Sequence, residues 1–405
     1  MTTVPPQSLS SAPPEILALG PLAWAKKNLF SDWFNSLLTV VIVGIFGWGL
    51  VRLISWAFTT AQWQVVPNNF GLFMSGTFPP ALYTRLWLLL ALMCALAGLS
   101  WGVLGRNLST LFSRNVMIGL GVVCALIVLF PATRPNTLKL LPIVALVAGM
   151  AALGRQVGRK FVGVGKGVSL LWFLSYFVAL WLIGGGIGLT PVSTNDWGGL
   201  VLTLFTAVSG IVLCFPLGLL LALGRRSALP VVRWLSTAYI ELVRGVPLVA
   251  VLFMGQVMIP LFLPVGSRPD RILRAIIALA LFSAAYLAEN VRAGLQAVPR
   301  GQQEAAMSLG LNTPATLGLI ILPQALKIAI PAIVGQFISL FQDTTLLAIV
   351  GLAELLGIGK SVLANPAYLG RYAEVYLFLA VIFWFFCYAM SLGSRKIEEI
   401  LNTDN

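Results

Sequence analysis

Ten runs of about 15 to 25 mostly apolar residues constrain this chain more than any other feature, because a helix of that length crosses a hydrocarbon layer of about 30 Å. Inside such a layer every backbone N–H and C=O must be satisfied by the segment itself, which helices achieve. The runs fall at about 37–58, 86–104, 116–131, 139–153, 168–188, 199–224, 245–265, 272–291, 326–350 and 374–393. Of the 405 residues 59% are apolar and 10% charged, against about half and roughly a quarter in a soluble domain. An ordinary soluble enzyme is excluded. The expected fold is an all-α polytopic membrane protein with about ten transmembrane helices.

Lys and Arg in short loops favour the cytoplasmic side. Residues 1–36, rich in Pro and Ser and carrying Lys26 and Lys27, lack the early apolar stretch and cleavage site of a secretory signal. They are expected to form a retained, cytoplasmic N-terminal segment. With ten spans starting inside, 17 of the 26 Lys and Arg fall in inside segments and eight in outside ones, with Arg52 in the first span. Both termini are therefore placed in the cytoplasm. The fourth span is short and has Pro142 in its first turn; losing it would invert everything upstream.

The net charge of +13 reads as topology and not as nucleic-acid binding. The chain has no histidine, so His triads and His metal sites are excluded. Cys94, Cys124, Cys214 and Cys387 each sit alone in an apolar run, where a cysteine acts as a small hydrophobe. No cofactor is expected. Gly359-Lys360-Ser361 and Gly165-Lys166-Gly167 lack the glycine and hydroxyl spacing of a phosphate-binding loop. Trp24, Trp33, Trp56, Trp63, Trp101 and Trp197 near span ends read as an aromatic belt, and Arg52 as a snorkelling side chain.

Charge density divides the chain. Residues 37–197 hold five spans and hardly any acidic residue, whereas from Asp196 onward the loops lengthen and gain Glu, Gln, Asn and Asp. The expected organisation is an accessory five-helix extension over 37–197 and a functional half over 198–401. In the latter, a polar loop at about 292–325 separates the eighth and ninth spans and carries the local signals of a helix, a turn and a second helix. Glu304 is placed in the first turn of a Gln302–Leu309 stretch, Gly310 at a left-handed cap, and Thr313-Pro314 at the next helix start. Ala305, Ala306 and Leu309 form a small apolar face that can dock in a groove of another protein; an interfacial loop resting on headgroups is the alternative.

Glu304-Ala305-Ala306, three residues, Gly310, nine residues, then Ile320-Ile321-Leu322-Pro323 resembles the cytoplasmic signature loop of ABC importer permeases. Tyr239 to Leu248, Ala285 to Arg292, Val298 to Gln302 and Leu322 to Leu326 look like the polar amino acid branch of that family. The resemblance covers about 198–401. It implies that the C-terminal five helices form the permease core. Glu304, Ala305, Ala306, Gly310, Leu322 and Pro323 would couple to a separate ATP-binding ABC subunit, and this chain would hydrolyse nothing. It further implies a bacterial inner membrane location, an extracytoplasmic amino-acid-binding protein, an amino acid substrate and a second permease subunit. The first five spans depart from the family's minimal core and resemble the longer of two non-identical permeases in general L-amino acid importers.

Polar groups at membrane depth tend to line a pathway, which singles out Gln336 and Asp343 in the ninth span as candidates for the translocation path. The family usually has Lys where Gln342 stands. Glu241 with Arg244, and Glu289 with Arg292, are spaced to pair along helix faces. Ten spans also divide as five plus five, the pattern of an ion-coupled secondary transporter with inverted repeats, but the first half has no counterpart of the hairpin. A receptor or scaffold that recruits a cytosolic protein is the third reading.

Overall fold

A computed structural model describes residues 20–107, 110–161, 163–264 and 266–402. Among them eight helices are long and apolar enough to cross a membrane, or nine if one bent pair counts as a single passage. The chain divides into two compact units between Gln62 and Trp63. The first holds α1 (Pro21–Asn28) and α2 (Trp33–Thr59). Asp32 caps α2, its carboxylate accepting the Asn35 N–H at 2.9 Å, a bond that pulls the carboxyl pKa below its ordinary value. No residue of α2 is buried, and Arg52 lies 5.7 Å from the Trp48 ring centroid.

The second unit opens with α3 (Val65–Asn68) and α4 (Phe70–Ser75), in a stretch the hydropathy pattern leaves as an outside loop. Four helices follow: α5 (Tyr83–Leu104), α6 (Arg114–Leu129), α7 (Thr137–Lys160) and α8 (Val164–Gly184). The weak passage is the third and not the fourth. α6 has 16 residues, about 24 Å at 1.5 Å each, whereas α7 has 24 and carries Pro142 inside it. Hydropathy ends that span at 153 because Arg155 breaks the run, yet the helix continues to Lys160.

α5 and α7 touch backbone to backbone. A Cβ on Gly102 would lie 2.0 Å from the Ala151 carbonyl oxygen, one on Gly98 2.4 Å from that of Val147, and one on Gly154 2.4 Å from that of Leu99. Gly98/Gly102 and Gly154/Gly158 are each a G-x-x-x-G pair, the small-residue spacing that lets membrane helices approach this closely.

The remaining elements are α9 (Gly199–Arg225), α10 (Pro230–Gly245), α11 (Leu248–Phe253), α12 (Ile259–Phe262) and α13 (Arg271–Ala297), then α14 (Arg300–Ser308), α15 (Thr313–Ala315), α16 (Leu322–Asp343), α17 (Leu355–Leu363) and α18 (Tyr372–Asn402). The seventh predicted span, 245–265, begins at a break: α10, which precedes it, and the 248–262 stretch meet at 104°. Val246 is extended at φ −106°, ψ 138°, as a residue before proline must be, and Pro247 has no N–H to continue the helix. The core is formed by α9, α13 and α16 around Cys214, Ala284, Leu287, Val291, Ala325 and Leu340. Cys94, Cys124 and Cys387 are only half-buried.

The stretch from Val65 to Gly76 and the second half share a seam. Val65, Val66 and Phe73 pack on Leu355, Ile358 and Val375, and a Cβ on Gly76 would lie 2.4 Å from Gly198 Cα. Gly199, at φ +57°, donates its N–H to the Ala353 carbonyl at 2.9 Å. Trp197 belongs to this packing, 5% exposed and edge-on to Phe205 at 5.2 Å, so it is not a belt residue. Glu354 is fully buried and caps α17, accepting the Leu356 and Gly357 N–H groups at 2.8 Å each.

Candidate functional site

The polar loop folds as a hairpin with one free-standing helix. α14 begins at Arg300, so Glu304 is its fifth residue and lies beyond the first turn, where the sequence had placed it. The α14 terminus is locked by two reversed bonds: Gly310 N–H to Met307 C=O at 2.9 Å and Leu311 N–H to Ala306 C=O at 3.2 Å. That is a Schellman cap, and it needs Gly310 at φ +83°. The next start is capped by Asn312 and not by Thr313; the Asn312 side chain accepts the Ala315 N–H at 3.0 Å.

The second arm is not a separate extramembrane helix. From Thr313 it runs through a wide π turn, Thr316–Ile321, directly into α16. Pro323 explains the widening, because its ring displaces the carbonyl four residues back and a π turn relieves that clash. Gln324 donates to Gln302 at 3.4 Å across the two arms. Ala306, 4% exposed, is turned into the protein, whereas Glu304, Ala305 and Gly310 are exposed. Leu309 is 83% exposed. Leu322 is half-buried against the core and Pro323 exposed.

A charged cluster ties α9, α10 and α13 together. Arg225 donates to Glu241 at 2.9 Å and also to Glu289, and Arg292 Nε donates to Glu289 at 2.8 Å. Arg244 approaches Glu289 at 3.9 Å, over the Tyr286 ring. The expected Glu289–Arg292 pair forms; Glu241 instead takes Arg225, whose guanidinium fork serves two carboxylates from different helices.

On α16 the structure places Gln336 and Asp343 seven residues apart on one side, both half-buried. They flank a stripe of exposed small and polar residues, Ala332, Gly335, Ser339 and Gln342. α16 ends at Asp343, where a tighter turn over Thr344–Ala348 begins. The phosphate-loop decoys are both helical: Gly359-Lys360-Ser361 lies within α17 and Gly165-Lys166-Gly167 in α8, so neither segment is a loop that could cradle a phosphate.

Residues 215–398 match the family described as binding-protein-dependent transport system inner membrane component. The chain is 39% identical, over 94% of its length and 93% of the relative's, to an inner membrane amino-acid ABC transporter permease protein, YhdY, of Escherichia coli. It is 36% identical, over 98% of both chains, to the glutamate/glutamine/aspartate/asparagine transport system permease protein BztC of Rhodobacter capsulatus. A shorter relative, the probable glutamine ABC transporter permease protein GlnP of Bacillus subtilis, is 34% identical over 50% of this chain and 91% of its own. Similarity to such import systems implies a paired permease, an ATPase subunit and a substrate-binding protein, and displaces the secondary-transporter reading. The chain therefore belongs to the ABC-transporter permeases of the polar amino acid family, and is the multi-pass, inner-membrane permease component of an amino-acid importer whose ATP hydrolysis resides in a separate subunit.

Proposed function

We propose that α14 is the coupling element of this permease, seated in a groove of the ATPase with Glu304 and Ala305 at the contact and Ala306, Gly310, Leu322 and Pro323 holding its shape. The observation that carries this is the double-bonded Gly310 cap: a helix that must transmit displacement has to move as a rigid body, and two cap bonds plus the Gln302–Gln324 bridge fix α14 to the arm that continues as α16. Differential affinity of ATP for the closed ATPase pair would then shift the permease between inward- and outward-facing states.

The finer organisation follows the same reading. The chain crosses the bilayer about ten times with both termini cytoplasmic; 37–197 is accessory and 198–401, with its 292–325 loop, is the transport core. Gln336 and Asp343 line the path beside the α16 stripe, which faces a second, non-identical permease subunit. An extracytoplasmic binding protein delivers a polar amino acid; the side-chain class in the name of the Rhodobacter relative, acids and their amides, is the first to test.

The deciding experiment is co-purification of the tagged chain with the products of its neighbouring genes. Wild type should retain a soluble ATPase, and a Glu304→Arg/Gly310→Val chain, correctly inserted, should lose it. Equal capture by both would refute the assignment of α14.

A further inference from the structure

We propose that the end of the α5/α7 pair near Arg155 and Arg159 is a binding site for the phosphate headgroup of an anionic phospholipid. Between Asp32 and Asp196 the chain contains no Asp or Glu, yet holds ten Lys and Arg. Six of these ten, Arg106, Arg114, Arg155, Arg159, Lys160 and Lys166, lie in or beside the 105–113 and 161–163 connections, at one end of these helices. The segment thus carries a concentrated positive charge that no carboxylate of its own can balance.

The end is also concave. Leu111, Phe112, Ala152, Arg155, Gln156 and Arg159 line a cavity of about 240 Å³. One side is apolar and the other polar, with two cations: Leu111 is buried and Phe112 stacks edge-on with Trp101 at 5.6 Å, while Arg155 is half-buried and Arg159 exposed. A headgroup phosphate with the start of its acyl chains has this two-sided chemistry, and basic pockets between membrane helices near the interface take such headgroups.

The glycine contacts make the site rigid. Gly154 and Gly158 flank Arg155, and the packing of Gly154 on Leu99 and of Gly158 on Val103 sets α7 against α5. Arg159 Nε then donates to the Arg106 carbonyl at 3.1 Å, a bond that uses one of its five N–H donors and holds the guanidinium at the rim. The site is independent of the coupling assignment and would stand if α14 docked nothing.

The test uses the purified full-length chain in detergent, titrated with phosphatidylglycerol and, separately, with phosphatidylcholine and with inorganic phosphate, and read by native mass spectrometry. We expect saturable binding of phosphatidylglycerol at one site more than phosphatidylcholine, and an Arg155→Gln/Arg159→Gln chain weaker by more than about tenfold at that site. Lys166→Gln, one charge removed at the same end, should leave the site within about twofold. Phe112→Ala, with every charge kept, should weaken phosphatidylglycerol and not change the response to inorganic phosphate, and it decides the matter if the double variant fails to insert. Inorganic phosphate binding as strongly as the lipid would overturn the lipid in favour of a free anion; equal losses in Lys166→Gln and the double variant would overturn the site in favour of diffuse surface charge.

Discussion

Replacing Glu354 by glutamine should remove a pH dependence that the fold builds into the seam between α9 and α17. Burial pushes the Glu354 carboxyl up from 4.5 to about 7, and the Leu356 and Gly357 amides, Lys360 and Thr203 offset only part of that. With the folded-state value raised, the unfolded chain loses this proton at a lower pH than the folded one does. The contribution to stability is therefore complete below pH 4.5, falls as pH climbs, and is lost once pH passes about 7. The span of the shift corresponds to on the order of 3 kcal/mol. The side-chain amide of the Glu354→Gln variant would keep one acceptor for the two capping N–H groups and so shift stability by a constant, but it cannot titrate. Thermal unfolding in detergent at pH 4 to 9 should therefore show the wild type losing stability relative to Glu354→Gln between about pH 5 and 8. Parallel profiles across that window would refute the argument and mean that the seam admits enough water to solvate the carboxylate.

Two further outcomes follow from the packing. Gly102→Val should lower the melting point by the equivalent of about 2 kcal/mol or more, since its Cβ meets the Ala151 carbonyl at 2.0 Å, whereas Gly149→Val on the partner helix α7, with nothing within 4 Å, should be nearly silent; equal effects would discard the G-x-x-x-G contact. Glu289→Gln should cost about 2 kcal/mol by leaving Arg225, Arg244 and Arg292 around a neutral group, while Lys396→Gln, at a pair whose partners are 62% and 66% exposed, should cost under about 0.5 kcal/mol; matched melting points for the two variants would count against the cluster as a structural tie.

Hydropathy located helices because the bilayer imposes one requirement on every spanning segment, although among the described residues eight of them, or nine with the bent pair, are long and apolar enough to cross. It misjudged lengths wherever a charge sat inside a continuing helix, as Arg155 does in α7, and it could not see that α10 and the 248–262 stretch are bent apart, although Val246-Pro247 was there to be read. The hairpin was legible at Gly310, whose left-handed cap is a local property. It was less so at Thr313, since Asn312 competes for the same capping role and wins by accepting the Ala315 amide. Glu354 was invisible as a buried acid: it is brought against Gly199 and Thr203 of α9, more than 150 positions earlier in the sequence, only by the tertiary fold.

That glycine seam bears on how the chain could be shortened. A cut at 198 would keep every residue assigned to transport, yet it would strip Val65, Val66 and Phe73 from the apolar cluster they form with Leu355 and Ile358 of α17, and Gly76 from its contact with Gly198. A cut between Gln62 and Trp63 leaves the seam closed. The extra half is thus not a removable attachment on a finished permease: its first stretch beyond that cut, from Val65 to Gly76, acts as part of the wall of the second half, and any fusion or minimal version of this protein should be designed from residue 63 onward.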